Sequence, residues 1–218
     1  MTELVDLVRA KISKTANLYI HNDLAQAVNH FKDSIDRMEA ADDRAGISYE
    51  YMACGMMIAF AFEAKINFLG WKLIEGWREF QSWDEKVKLV CEQLGIEPDW
   101  GVRPWSSIRA MKRFRDMVAH GKPLVVKHEE VVVMKAEDLN RRVDLTANWE
   151  KGCKPHDVNL GYDDLQVVWH RMLKASEIEI FDTMTRGEGA IILLEKIPAT
   201  TSQPEALPTA APNSPSTQ

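Results

Sequence analysis

Cysteine is scarce in this sequence. The three present, Cys54, Cys91 and Cys153, are odd in number and far apart in 218 residues. Such a set gives no disulfide framework, and a reducing compartment, the cytoplasm, is expected. Cys153 and His156 form a lone Cys-x-x-His with no second pair; a closed zinc site needs four ligands, so neither metal nor cofactor is expected. The opening residues Met1-Thr2-Glu3-Leu4-Val5-Asp6 lack a basic stretch running into an apolar core, so no leader peptide is expected. Long apolar runs are few. The most apolar uncharged one, residues 51–62, is stopped by Glu63 and Lys65. It falls short of the ~20 residues needed to cross a bilayer, so a buried helix and no membrane partner are expected. Gly-rich phosphate loops, His-Glu-x-x-His and Gly-x-Ser-x-Gly are all missing, which disfavours an ATPase, a zinc protease or a serine hydrolase.

What is present suits one globular domain: 45% hydrophobic residues, 28% charged, and seven Trp to fill a core. The net charge of −6 argues against a generic polyanion binder, but it is unevenly spread. Arg103, Arg109, Lys112, Arg113, Arg115 and Lys122 face only Asp116 within their stretch, a local +5 on a body of −11. A basic segment on an acidic body attracts a phosphate-bearing ligand locally and repels it elsewhere. A solvated helix face paired with acidic neighbours is the plainer reading of such a run.

Apolar spacing predicts one or two helices over residues 4–38, a long central helix over 48–80, and a helix over 83–94 opened by a Ser82/Glu85 capping box. A helix over 106–120 is punctuated by Gly121 and Pro123. The β-branched residues 124–126 and 131–133 predict a hairpin or edge arm. A last helix is expected over 163–185 and a short strand over 191–197. From Pro198 the composition turns to Pro, Thr, Ser and Ala, as in a disordered tail. The expected organisation is a single helical domain over 1–197 with the tail at 198–218. The fold class is mainly α, a bundle with a small β-hairpin or arm after the fourth or fifth helix.

The helix over 106–120 carries the candidate chemistry. With Ile108 at zero on a helical wheel, Met111, Phe114, Met117 and Val118 span roughly 180–300°, and Arg115 lands at roughly 340° inside the apolar arc. Burying an unpaired charge is heavily penalised, so Arg115 needs a carboxylate, a partner surface or an anionic ligand. Arg109, Arg113, Asp116 and His120 share the opposite face. Asp116 and His120 stand four residues apart, so the carboxylate can orient the imidazole. A cation to hold a phosphate and an imidazole to move protons suffice for metal-free RNA cleavage. The alternative is a surface His favoured by the helix dipole beside a structural Arg.

Arg115-Asp116-x-x-x-His120, in a helix ending Ala-His-Gly, resembles the motif of the HEPN superfamily. The upstream stretch from Phe60 to Gly70 is similar to the earlier core helix of such proteins, with Glu63 and Asn67 on one face. The resemblance covers roughly residues 15–185. It implies an antiparallel helical bundle that homodimerises and cleaves RNA without metal, with Arg115, Asp116 and His120 as catalytic residues. Arg109, Lys112, Arg113 and Lys122 would bind substrate, with Glu63 supporting Arg115. A toxin or antiviral-defence setting would add an antitoxin or regulatory partner. Other members are inactive modules for dimerisation and for binding nucleotide, RNA or protein, and that alternative stays open. Asp116 stands where Asn is commoner, and Lys122 stands where one toxin branch has Tyr.

Overall fold

The computed structural model describes residues 7–138 and 145–197. Contacts divide them into a helical unit, Leu18–Thr185, and a unit of two strands. The helices are α1 (Ile20–Ala40), α2 (Ile47–Leu73), α3 (Trp83–Gln93), α4 (Trp105–Ala119), the short α5 (Asn148–Gly152) and α6 (Pro155–Ser176). The strands are β1 (Leu7–Asn17) and β2 (Arg186–Ile197).

The hub of the helical unit is α2, which packs against α1, α3, α4 and α6. Its apolar residues run nearly all round the helix, so no single neighbour could cover them. Ile58, Ala61, Phe62, Ile66 and Leu69 are buried in the core with Ile108 and Met111 of α4 and Leu165, Val168 and Met172 of α6. Two glycines seat α4 closely. A Cβ on Gly55 of α2 would lie 3.1 Å from the Phe114 ring, and one on Gly161 of α6 would lie 2.8 Å from Met111 Cγ.

The helix ends follow local chemistry. At the start of α3, Ser82 Oγ accepts the Glu85 N–H while the Glu85 carboxylate accepts the Ser82 N–H, the expected capping box. Its far end closes with Ile96 N–H donated to Cys91 O and Gly95 N–H to Glu92 O. Gly95 takes φ 62°, the left-handed conformation that this pair of bonds requires. The end of α4 falls at His120, which leaves helical geometry (φ −106°, ψ 24°) while its N–H still bonds Asp116 O at 3.0 Å.

A mainly helical bundle with a small antiparallel β element is the expected class, but the strands come from elsewhere in the chain. Residues 7–17, read from sequence as helix, form β1. Residues 124–133, read as a hairpin, form no regular element, and Val125, Val131 and Val133 stand exposed. Both differences have one cause: β propensity is realised only where a partner strand exists, and the partner of β1 lies at the other end of the chain. The strand expected over 191–197 is the later half of β2. The final helix begins earlier than its apolar spacing suggested, at Pro155, where a missing N–H costs nothing. It ends at Ser176, with Glu177 left-handed at φ 55°. The tail expected from residue 198 lies outside the described residues.

The strands pair from Leu7↔Ile197 to Asn17↔Arg186, with a bulge beside Arg9 and Ala10 that leaves Leu194 unopposed. Alternation places Val8, Ala10 and Ile12 on one face opposite Lys196, Leu193 and Ile191. Arg9, Lys11 and Ser13 share the other with Glu195, Ile192 and Ala190. The ribbon is amphipathic, and β2 is exposed along its full length.

By length and composition α2 could cross a membrane, because the helix runs on through Glu63 and Lys65; yet 61% of its most apolar stretch is buried inside the protein. That burial accounts for its apolarity.

Candidate functional site

Five charged side chains of alternating sign tie three helices together beneath the end of α4. Lys86 of α3 is buried and donates to Glu63 Oε1 of α2 and to the Glu79 carbonyl. Glu63 Oε2 accepts Arg115 Nη2 of α4 at 3.0 Å. Arg115 Nε lies 3.3 Å from Asp116 Oδ1, close enough for attraction but without hydrogen-bond alignment. Asp116 Oδ2 in turn lies 2.7 Å from Lys112 Nζ. Of the three partners open to this guanidinium, a carboxylate, a partner surface or an anionic ligand, it has the first, Glu63, the residue that the resemblance implied. It also sits 5.3 Å from the Phe60 ring centroid, and its side chain remains 19% exposed.

Three cations against two carboxylates leave this network with one excess positive charge. Lys86 was not singled out from sequence. Its signal was its place three residues after Trp83 and next to Val87, on the buried stripe of α3.

His120 is exposed at the last turn of α4, and its ring makes no hydrogen bond to another described residue. The expected Asp116–His120 contact is not made, because both Asp116 oxygens face Arg115 and Lys112. Arg109 is exposed, with its guanidinium 5.5 Å from the Trp100 ring centroid, and Lys112 lies 5.8 Å from that of Trp83. Arg113 and Lys122 are exposed and form no ion pair with another described residue. Arg103 is set apart by a two-bond ion pair to the buried Asp164, both bonds 2.9 Å. Asn67 follows Glu63 by one turn on α2, and its buried Oδ1 has no partner among the described residues.

Beside His120 opens a groove of about 360 Å³, lined by Met52, Met117, Val118, Gly121, Lys122, Pro123 and Trp149. Apart from Lys122 the lining is apolar. Met52 and Trp149 were not foreseen, since nothing local to either residue points to α4.

A second polar cluster lies inside the core. Lys65 of α2 is buried with its ammonium 4.1 Å from the Trp169 ring centroid, and burial pulls its pKa down to about 8. His21 packs against Phe68 and Trp169; burial, and then the charge of Lys65, lower its pKa to about 4. Burial raises the Cys54 and Cys91 thiols to about 12 and about 11. Neither is a competent nucleophile, since the thiolate is the reactive form.

Comparison with protein-family models, curated proteins and solved structures finds no match. Around the end of α4 the residues offer a net positive charge, an exposed imidazole and an apolar slot.

Proposed function

We propose that the chain is a metal-independent endoribonuclease of the HEPN type, acting in the cytoplasm at a homodimer cleft, in a toxin or defence setting with a regulatory partner. One observation carries this reading. Arg115 is fixed by Glu63 at 3.0 Å on the same helix that ends in an exposed His120, whose ring makes no hydrogen bond to another described residue. A held cation and an accessible imidazole are what phosphodiester cleavage by an internal nucleophile needs. The RNA 2′-hydroxyl attacks its adjacent phosphorus as His120 takes its proton. The P–O5′ bond breaks, a 2′,3′-cyclic phosphate forms, and the departing 5′-oxygen takes a proton from the imidazolium of His120 in the opposite subunit. Arg115 stabilises the added charge on the phosphorane, and Asp116 holds Arg115 and Lys112. Arg109, Arg113 and Lys122 attract the strand.

The decisive measurement is cleavage of single-stranded RNA in excess EDTA by the purified chain and by His120→Ala. The substitution is expected to lower the rate at least about 100-fold, the usual scale of acid–base catalysis. Unchanged activity in the variant, or a need for divalent metal, ends this reading.

A second reading has its own support. Arg115 already faces two carboxylates and is mostly buried, which suits an inactive module that dimerises and binds nucleotide, RNA or a protein. RNA binding with a steep salt dependence but no cleavage would favour it.

A further inference from the structure

We infer that the groove beside His120 is a nucleobase slot, holding the base of a nucleotide whose phosphate lies at Lys122. The inference rests on the phosphate-ligand reading of the α4 terminus and gives it a substrate class: nucleotides whose base is unpaired and can leave a stack.

Four features of the groove point the same way. Its volume of about 360 Å³ falls within the range of small-molecule sites, roughly 300–1,000 Å³. Its walls are Met52, Met117, Val118 and the half-buried Trp149, side chains that cover the faces of a flat, polarisable ring. Its one charged group is Lys122, exposed as are the neighbouring lining residues Gly121 and Pro123, so a ligand apolar at one end and anionic at the other is matched. Its position is the fourth. Val118 and Gly121 bracket His120 along the chain, so a base seated in the slot brings its own phosphate toward the imidazole. Arg109 and Arg113, exposed on α4, extend the positive potential for neighbouring phosphates. A long-chain carboxylate is also apolar with an anionic end, but it has no use for cations beyond Lys122. The additional cations on α4 favour a ligand with several phosphates, a single-stranded RNA.

The slot is tested by titrating the full chain with adenosine and uridine 5′-monophosphates, with the corresponding nucleosides, and with a long-chain fatty acid, using calorimetry. Nucleotide binding is expected, with the nucleosides bound more weakly. Lys122→Gln should weaken the nucleotides about tenfold and leave the nucleosides unchanged, as loss of one charge-assisted contact does. Val118→Phe, which fills the slot, and Trp149→Ala, which removes a wall, should each weaken nucleotide and nucleoside alike by about tenfold or more. Circular dichroism and thermal melting of each variant establish that it is folded, and Lys122→Gln, an exposed change, keeps the test alive if a wall variant is not. Absence of nucleotide binding overturns the slot, as does binding untouched by the folded wall variants, or preference for the fatty acid. Nucleotide binding of the expected kind without RNA cleavage would leave the slot standing and remove the ribonuclease reading. Cleavage with no effect of the wall variants on binding or rate would do the reverse.

Discussion

Glu63 holds two cations at once, and the consequences of removing it differ from those of removing either partner. In Glu63→Ala the partners left among the described residues are the Glu79 carbonyl for the buried Lys86, and the misaligned Asp116 and the Phe60 ring for Arg115. Breaking a buried pair leaves uncompensated charge and costs about 3–5 kcal/mol. Arg115→Ala leaves Glu63 still paired with Lys86 and should cost about half as much. Urea denaturation of the two variants checks the order; equal losses would mean that the Lys86 contact contributes nothing. Lys65 presents the opposite case, a buried ammonium facing a ring with no carboxylate bonded to it among the described residues. Its pKa is about 8 in the folded chain against an ordinary 10.5. As pH falls through that interval the unfolded chain takes up the proton first, so stability drops between pH 10.5 and 8 and the penalty is complete below 8. Lys65→Met should therefore be more stable at pH 7 by a few kcal/mol, and should lose the rise in stability that the parent shows from about pH 8 upward. Thermal melts across that range test both statements. At this scale the sequence was legible in part: Arg115 in an apolar arc called for a carboxylate, a partner surface or an anionic ligand, and the first of these is met by Glu63 of α2, the partner that the resemblance implied. It was less legible where choices compete. Asp116 could reach His120, Lys112 or Arg115, and two cations already within its reach took its oxygens.

Elements were readable to the degree that their signals are local. The capping box of α3 and the Gly121/Pro123 end of α4 are written in consecutive residues, and both helices fall within a residue or two of their expected bounds. The later half of β2, residues 191–197, was readable from its apolar run, but β1 was not, because it has no partner within the helical unit that separates it from β2 in sequence, and its Leu-Val-Arg-Ala-Lys-Ile stretch fits either period. One close approach carries a prediction at this scale. A Cβ on Gly70, near the end of α2, would sit 2.4 Å from the Trp77 indole. A rigid ring over a helix backbone cannot yield by a rotamer change alone, so Gly70→Ala should destabilise the chain by about 1–3 kcal/mol despite its better helix propensity. A melting temperature equal to or above that of the parent would show that Trp77 is free to move aside.

At the scale of the whole molecule, the apolar surface of α2 is satisfied by four other helices. The chain should remain in the aqueous phase of a detergent phase separation; recovery in the detergent phase would mean that α2 has another environment. The ribbon behaves differently. Each of its cross-strand bonds joins residues that the whole helical unit separates in sequence, so its closure gains nothing until a very long loop has been drawn in. Two strands alone are also marginal in water. In deuterated buffer, the amides of Ile12 and Ile192 should consequently exchange orders of magnitude sooner than those of Phe62 and Ile66, and the ribbon should open and close many times within the lifetime of a single folded helical core.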